Sequence, residues 1–359
     1  MNTSTIAIDL AKDVFQLAIS DVAGRVMERH RLTRSRFSRF FDNRLPCTVV
    51  MEACGSAHYW ARRLQALGFS VVLLPAHYTR AYVRGNKTDK ADAAGLLEAF
   101  RCADLQPVPI KTPRQQGVQG LHRIREHAKA QRTAAINLVR GLLREFGILI
   151  PAGAAKVRPC VLAALEDGDN QLPMALRHTL ADLLGEIAGL QERMQRIEKR
   201  LVEFAQTDGL SQRVQQAPGI GVITGTAISA SVGSLSRFPS GRHFSAWLGI
   251  TPREHSSGRQ RRLGRMSKRG DTYLRMLIIH GARSVLRSAM VQEKQGQILD
   301  HLHAWALALS RRQGYNKAAV ALANKLARRL WAMEHHGVPF DANHLSSRPR
   351  PSQEMAIAA

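Results

Sequence analysis

Asp9 in IAIDLAK, Glu52 in VVMEACGS and the pair Asp89 and Asp92 in KTDKADA are four carboxylates from three separated stretches, spaced like the ligand set of a divalent-metal nuclease. Phosphodiester cleavage needs acidic side chains that converge from distant segments onto one or two Mg²⁺ ions. Four carboxylates drawn together without a cation would repel one another. Each has a plainer role open to it alone, Asp89 as a helix N-cap and Glu52 as a solvated loop end.

The elements that must position them follow from pattern. Thr5 to Ile8 is a short β-branched run ending at Asp9, and Val14, Phe15, Leu17 and Ile19 continue into a second strand. Thr48 to Met51 is a buried apolar run that delivers Glu52 to a strand edge. Gly55 breaks that strand before a helix over Ala57 to Leu67, and Ser70 to Leu74 adds another strand, closed by Pro75. Asp89 and Asp92 stand three apart at the start of a helix over Ala91 to Cys102, so they share a face. Residues 1 to about 105 therefore predict an α/β domain with a mixed sheet.

Composition sets the partner. A formal charge of +24 over 359 residues, with pI near 11, is a field that attracts polyanions, and nucleic acid is the expected ligand. Acidic membrane surfaces compete for that role. The chain has no apolar run of about eighteen residues, however, and it starts directly into a strand with no signal peptide, so a soluble, cytoplasmic protein is expected. Cys47, Cys54, Cys102 and Cys160 show no CxxC spacing and read as reduced core thiols.

Pro107, Pro109 and Pro113 interrupt the α/β pattern. A helical region follows over 106–208: a basic helix from Arg114 to Phe146, then one in which Leu176, Leu180, Leu183, Ile187, Leu190, Met194, Ile197, Leu201 and Phe204 alternate steps of four and three. That heptad seam suits either an antiparallel hairpin with the preceding helix or a contact between protomers. Over 209–340 the composition changes again. Pro218, Gly219 and Gly221 in APGIGVITGTAISA make a turn like that of helix-hairpin-helix modules, whose amides face a backbone phosphate, although such turns also serve plain helix packing. Arg253, Arg259, Arg261, Arg262, Arg265, Lys268 and Arg269 surround Ser256 and Ser257 in what reads as a flexible basic loop between two helices. A small nucleophile among guanidinium groups that neutralise a scissile phosphate is what phosphoryl transfer requires. Thr272 to Met333 reads as helical, with Leu274, Leu277, Ile278, Leu286, Leu302, Trp305, Leu309, Leu322, Leu326 and Leu330 as core and with Arg311, Arg312, Lys317, Lys325, Arg328 and Arg329 outside. Residues 341–359 read as a disordered tail.

Taken in order, IAIDLAK, MEACGS, KTDKADA, a central coiled coil, PGIG and TPREHSSG followed by RMSKRGD closely resemble the insertion sequence 110 family of DEDD transposases, in its subgroup with an HSSG-type loop. The resemblance covers nearly the whole chain. It implies an N-terminal α/β domain of RuvC-like, RNase H-type fold whose quartet maps onto Asp9, Glu52, Asp89 and Asp92. It further implies a mainly α-helical C-terminal transposase domain whose serine nucleophile maps onto Ser257, which directly precedes Gly258, with Ser256 the fallback. It also implies recombination guided by a structured noncoding RNA that pairs with donor and target DNA. The homo-oligomer, a dimer or tetramer, would complete the active site of one protomer with the serine of another.

The mechanism expected from this is attack of the Ser257 hydroxyl on a phosphate polarised by Mg²⁺, giving a 5′-phosphoserine link and a free 3′-hydroxyl. Reversal of that ester would conserve bond energy, in keeping with the lack of a Walker motif. His255 is the nearest candidate base. Two other classes fit parts of the pattern. One is a Holliday-junction resolvase-like nuclease that uses water, and the other is a non-catalytic nucleic-acid-binding protein whose carboxylates only cap helices.

Overall fold

The computed structural model describes residues 4–21, 25–82, 89–102, 105–258 and 260–345, with the backbone alone described at 89–91. The chain divides into two compact units, Met1–Arg114 and Gln115–Ala359.

The first unit is α/β. Its strands are β1 (Thr5–Leu10), β2 (Val14–Ser20) and β3 (Val26–Thr33), followed after helix α1 (Arg34–Phe40) by β4 (Thr48–Glu52). Helix α2 (Ala57–Ala66), strand β5 (Ser70–Leu74), helix α3 (Ala76–Thr79) and helix α4 (Asp89–Phe100) complete it. The five strands form one mixed sheet in the order β3-β2-β1-β4-β5, in which β1 pairs antiparallel with β2 and parallel with β4, and β4 pairs parallel with β5. The two central strands are apolar on both faces, as strands covered on both sides must be. One face packs Phe15, Phe37 and Trp60 edge to face at centroid distances of 4.5–5.5 Å. The other packs α4 through Ala93, Leu96, Leu97 and Ala99 onto Ala7, Ala18, Val50 and Leu74.

Four of the strands lie where the apolar runs predict them. The fifth, β3, carries Glu28, Arg29, His30 and Arg31 and is mostly exposed. It is an edge strand whose charges discourage pairing with another chain, and the same charges erase the apolar alternation by which strands are read.

The second unit is mostly helical: α5 (Pro113–Glu145), α6 (Val157–Glu166), α7 (Met174–Gln206), α8 (Gly209–Val214), α9 (Val222–Val232), α10 (Gly241–Trp247), then strands β6 (Pro252–Glu254) and β7 (Leu263–Met266), and α11 (Thr272–Lys294), α12 (His301–Gln313) and α13 (Tyr315–His336). Val118 packs with Ile197 and Leu201, Ala128 with Leu190 and Met194, and Ile136, Val139 and Leu143 with Leu180 and Leu184. This descending register makes α5 and α7 antiparallel partners, so the heptad residues face a helix of their own chain. The Arg125 guanidinium bridges to Glu198 at 2.7 Å across the same seam. Helices α8 to α13 enclose a separate core that includes Leu274, Ile278, Leu286, Leu302, Leu322, Leu326 and Leu330, with Leu277, Trp305 and Leu309 at its margin.

Two expectations for this unit change. The helical stretch from 272 to 333 is three helices, broken at Gln295–Asp300 and at Gly314, and of its six outer cations Lys325 and Arg329 are half-buried: Lys325 Nζ lies 4.1 Å above the Trp305 ring. The basic stretch after α10 is an antiparallel hairpin of β6 and β7, not a loop. Residues 346–359, which include most of the expected tail, lie outside the described residues.

Candidate active site

Backbone register places the first two carboxylates. Along β1 and β4 the parallel pairs run from Thr5 with Thr48 to Ile8 with Met51, so the next step beyond each strand's last pair is Asp9 beside Glu52. Adjacent strands lie about 4.8 Å apart. Both residues are half-buried at the carboxyl end of the sheet. Cys54 reports their combined charge: burial pushes its thiol pKa up, and the Glu52 and then the Asp9 carboxylates push it further. Its Sγ lies 3.9 Å from the Leu10 carbonyl oxygen, so it stands against both strand ends.

The Thr79 hydroxyl, buried at the end of α3, lies 3.2 Å from Glu52 Oε2 and 3.0 Å from the Ala76 carbonyl oxygen. Its single proton can go to only one of these acceptors at a time. No signal in the sequence pointed to Thr79, and Cys54 read only as a core thiol, because the contact each makes here exists only in the folded chain.

Asp92 is half-buried in the first turn of α4, next to Ala93, which packs on the sheet. Asp89 is the first residue of α4, two residues earlier than the predicted helix start, and its side chain lies outside the described residues. Among the described residues no three His, Cys, Asp or Glu side chains meet at one point. Asp9 and Glu52 nevertheless present paired negative charge at one sheet end, the hard oxygen-donor chemistry that Mg²⁺ selects.

The serine hairpin belongs to the second unit. Glu254 pairs with Leu263, the His255 N–H donates to the Arg262 carbonyl at 2.9 Å, and Ser257 exchanges backbone hydrogen bonds of 3.2 and 3.1 Å with Gln260. Gly258 takes the positive φ (55°) that a two-residue hairpin turn requires. The two serines differ sharply in environment. The Ser256 hydroxyl donates to Glu254 Oε1 at 2.7 Å and accepts from the Arg262 N–H at 3.1 Å. Ser257 is exposed, and no described residue hydrogen-bonds its hydroxyl. The Ser256 hydroxyl and then the Arg261 guanidinium, 3.1 Å away, hold the Glu254 carboxyl below its usual pKa range.

Arg253, Arg261, Arg262, Arg265, Lys268 and Arg269 are all exposed along this hairpin and its base, whereas Arg259 lies outside the described residues. The base is clamped. A Cβ on Gly270 (φ 111°) would overlap the Trp247 carbonyl oxygen, and buried Arg275 donates to the Leu248 carbonyl at 3.2 Å.

Gly219 and Gly221 separate in role. Gly219 (φ 77°) presses on the Gly281 backbone of α11, which leaves no room for a side chain, while Gly221 is the exposed N-cap of α9. Among the described residues no helix is long and apolar enough to cross a membrane.

Comparison with known proteins fits this geometry. A family model described as "Transposase", of the DEDD type found in IS110 elements, matches residues 6–148, and the model "Transposase IS116/IS110/IS902 family" matches residues 211–297. The chain is 42% identical over 334 residues to the "Probable family 20 transposase" of Pseudomonas aeruginosa, covering 93% of this chain and 97% of that one. It is 39% identical to the "Transposase for insertion sequence element IS1111A" of Coxiella burnetii, covering 91% and 88%, and 33% identical to that of element IS1328 of Yersinia enterocolitica, covering 94% and 99%. The protein is thus a transposase, an enzyme acting on DNA. It belongs to the IS110 family of insertion-sequence transposases.

Proposed function

We propose that the chain is an RNA-guided serine recombinase in which a RuvC-like, RNase H-type first unit and the basic hairpin of the second share one reaction. The observation that carries this reading is the placement of Asp9 and Glu52 on neighbouring parallel strand ends, with Asp92 in the first turn of α4, the helix that packs on the same sheet and begins at Asp89. These four carboxylates would hold Mg²⁺, which when bound supplies Lewis acidity at the scissile phosphate. Ser257 is the nucleophile, since its hydroxyl is exposed while that of Ser256 is already engaged at both ends. The Ser257 Oγ–P bond forms as the P–O3′ bond breaks, and the 3′ oxygen leaves as a hydroxyl with the proton the serine gives up. Arg253, Arg261, Arg262 and Arg265, with Arg259, Lys268 and Arg269, screen the phosphate charge as a group. The Gly221 amide at the start of α9 is a further phosphate contact, and Gly219 shapes its turn.

The resemblance supplies the rest of the reading: a structured noncoding guide RNA, donor and target DNA, and a homo-oligomer, dimer or tetramer, in which the serine of one protomer serves the carboxylates of another. The reading also takes the units as a catalytic domain, a helical connector and a serine-bearing transposase domain acting in the cytoplasm.

The test is to purify the chain with its copurifying RNA and trap protein–DNA adducts on cognate DNA. An adduct that maps to Ser257 and vanishes in Ser257→Ala, with binding kept, is the expected result. Cleavage without any adduct would assign the attack to water, as in a resolvase-like nuclease. An adduct surviving in Ser257→Ala but lost in Ser256→Ala would move the nucleophile.

A further inference from the structure

An open recess of about 630 Å³ lies in the first unit, walled by Asp13, Arg34, Ser35, Tyr59, Trp60 and Arg63. Neither the metal reading nor the hairpin uses it. Its position follows from the topology. Leu10 pairs with Phe15 and Val14 pairs with Thr33, so the β1–β2 turn, the end of β3 and the start of α1 all lie at the sheet end that carries Asp9. Helix α2 leaves the same end, five residues after Glu52. Counted in strand spacings, the offset along the sheet from the carboxylate pair is about 10–15 Å, and the alternation of β1 and β4 turns Asp9 and Glu52 to the face that packs α4, whereas the recess lies on the face that packs α1 and α2.

Its walls combine three chemistries. The Tyr59 ring is 46% exposed and stands edge-on to Trp60 at 5.1 Å. The guanidinium groups of Arg34 and Arg63 lie 5.2 and 5.9 Å from the centre of the Trp60 ring, both side chains are exposed, and neither is in an ion pair among the described residues. The Trp60 indole N–H is buried with no acceptor among the described residues. An orphaned buried donor costs about 1–3 kcal/mol and calls for an account. Exposed Asp13 also lines the recess and brings a carboxylate able to accept from a base amino group. An exposed ring beside two exposed cations outside any ion pair among the described residues is the pattern of single-strand recognition, in which a base stacks on the aromatic face and its flanking phosphates meet arginine.

We propose that this recess is a nucleotide subsite that takes an unpaired base of the DNA strand being cut, stacked on Tyr59 with its phosphates at Arg34 and Arg63. DNA is the occupant because the enzyme acts on DNA, Arg34 and Arg63 complement its phosphates, and the recess opens at the same end of the sheet as the carboxylates, on the opposite face, so that a strand bound at the carboxylates can round that end to reach it. In this the assignment rests on the proposed role of Asp9 and Glu52. The subsite anchors the strand beyond the phosphate under attack, so that thermal motion of an unpaired strand does not carry that phosphate out of register.

The test uses the full chain and single-stranded DNA oligonucleotides carrying 5-iodouracil, with photocrosslinks mapped by mass spectrometry and affinity read by fluorescence anisotropy. Crosslinking to Tyr59 is expected. Tyr59→Ala should weaken single-strand binding by about five- to a hundredfold with an unchanged salt slope, because no charge is removed, and Tyr59→Phe should restore it. Arg34→Gln, at an exposed position, should lower the salt slope by about one and so checks the site independently of folding. Crosslinks confined to the basic hairpin, or an unchanged affinity in Tyr59→Ala, overturn the proposal. Crosslinking at Tyr59 by RNA of the same sequence but not by DNA overturns the assignment to the cut strand. Should the Ser257 adduct prove absent while the Tyr59 effects persist, the recombinase reading fails and the subsite stands.

Discussion

The two reactive regions are built on opposite principles. Asp9 and Glu52 are fixed by strand register, half-buried at the end of a sheet covered on both faces, and one of them is also met by the buried Thr79 hydroxyl. The Ser257 hairpin is exposed along its length and has almost no core of its own. It is held at its base, where Gly270 admits no side chain and Arg275 ties the α10 end to α11. A metal-binding edge needs oxygens placed to within a fraction of an ångström, which only a rigid sheet supplies. A nucleophile that must reach DNA needs exposure, and the hairpin supplies that at Ser257 above a fixed base.

This contrast can be broken most severely at the carboxylate edge. Asp9→Asn should lower strand cleavage by at least about a thousandfold while DNA binding holds or tightens, since a negative charge is lost without disturbing the strand. Single-turnover cleavage beside a binding titration checks this, and equal loss of both would make Asp9 structural. The next effect in size tests the clamp. Gly270→Ala should destabilise the second unit by about 3 kcal/mol or more and loosen the hairpin, because a side chain there meets both an unfavourable φ and the Trp247 carbonyl. Thermal melting and protease sensitivity at Arg261 and Arg262 read it, and a variant with unchanged melting would show that the base is not a clamp.

A third effect concerns how the second unit holds α5. His122 is buried with Nδ1 3.0 Å from the Tyr273 hydroxyl and Nε2 3.0 Å from Thr226 Oγ1, and burial, helped by Arg125, lowers its pKa to about 4 from 6.5. Thr226 spends its proton on the Val222 carbonyl at 2.7 Å, so Nε2–H is the donor to Thr226 and the Tyr273 hydroxyl donates to Nδ1. The unfolded chain therefore binds this proton first as the pH falls. The stability from neutral His122 is complete above about pH 6.5 and is lost progressively down to about pH 4, amounting to about 3 kcal/mol. Melting temperature against pH measures this, and His122→Gln should flatten the profile over that window. The smallest effect is at the hairpin's outer face, where Arg265→Gln should weaken nucleic-acid binding a few-fold and reduce the salt slope by about one, with cleavage of bound substrate nearly unchanged.

Much of the carboxylate edge is legible in the sequence because β-branched runs ending in an acid carry their own geometry: Thr5 to Ile8 and Thr48 to Met51 announce both strands and both acids. The heptad of α7 is equally plain, although its spacing does not say whether its partner is α5 or another protomer. The β3 strand is not legible, since Glu28, Arg29, His30 and Arg31 mask it with charge. Nor is the hairpin, where glycine, serine and arginine obscure strand propensity and cross-strand hydrogen bonds set the structure. Ser256 and Ser257 look alike as letters, yet one hydroxyl is spent on Glu254 and Arg262 and the other is exposed.

The sequence by itself determined which residues are acidic, apolar or basic along each element, and hence the strands, the long helices, the strong positive field and the family. It could do so because these depend on neighbours a few positions away. Only the tertiary structure decided that Asp9 stands beside Glu52, that α7 spends its heptad on its own chain, that Gly219 packs against Gly281, and that Arg34, Tyr59 and Trp60 wall one recess. Each of these joins residues tens of positions apart, and such contacts exist only once the chain has paid the entropy of closing the loops between them.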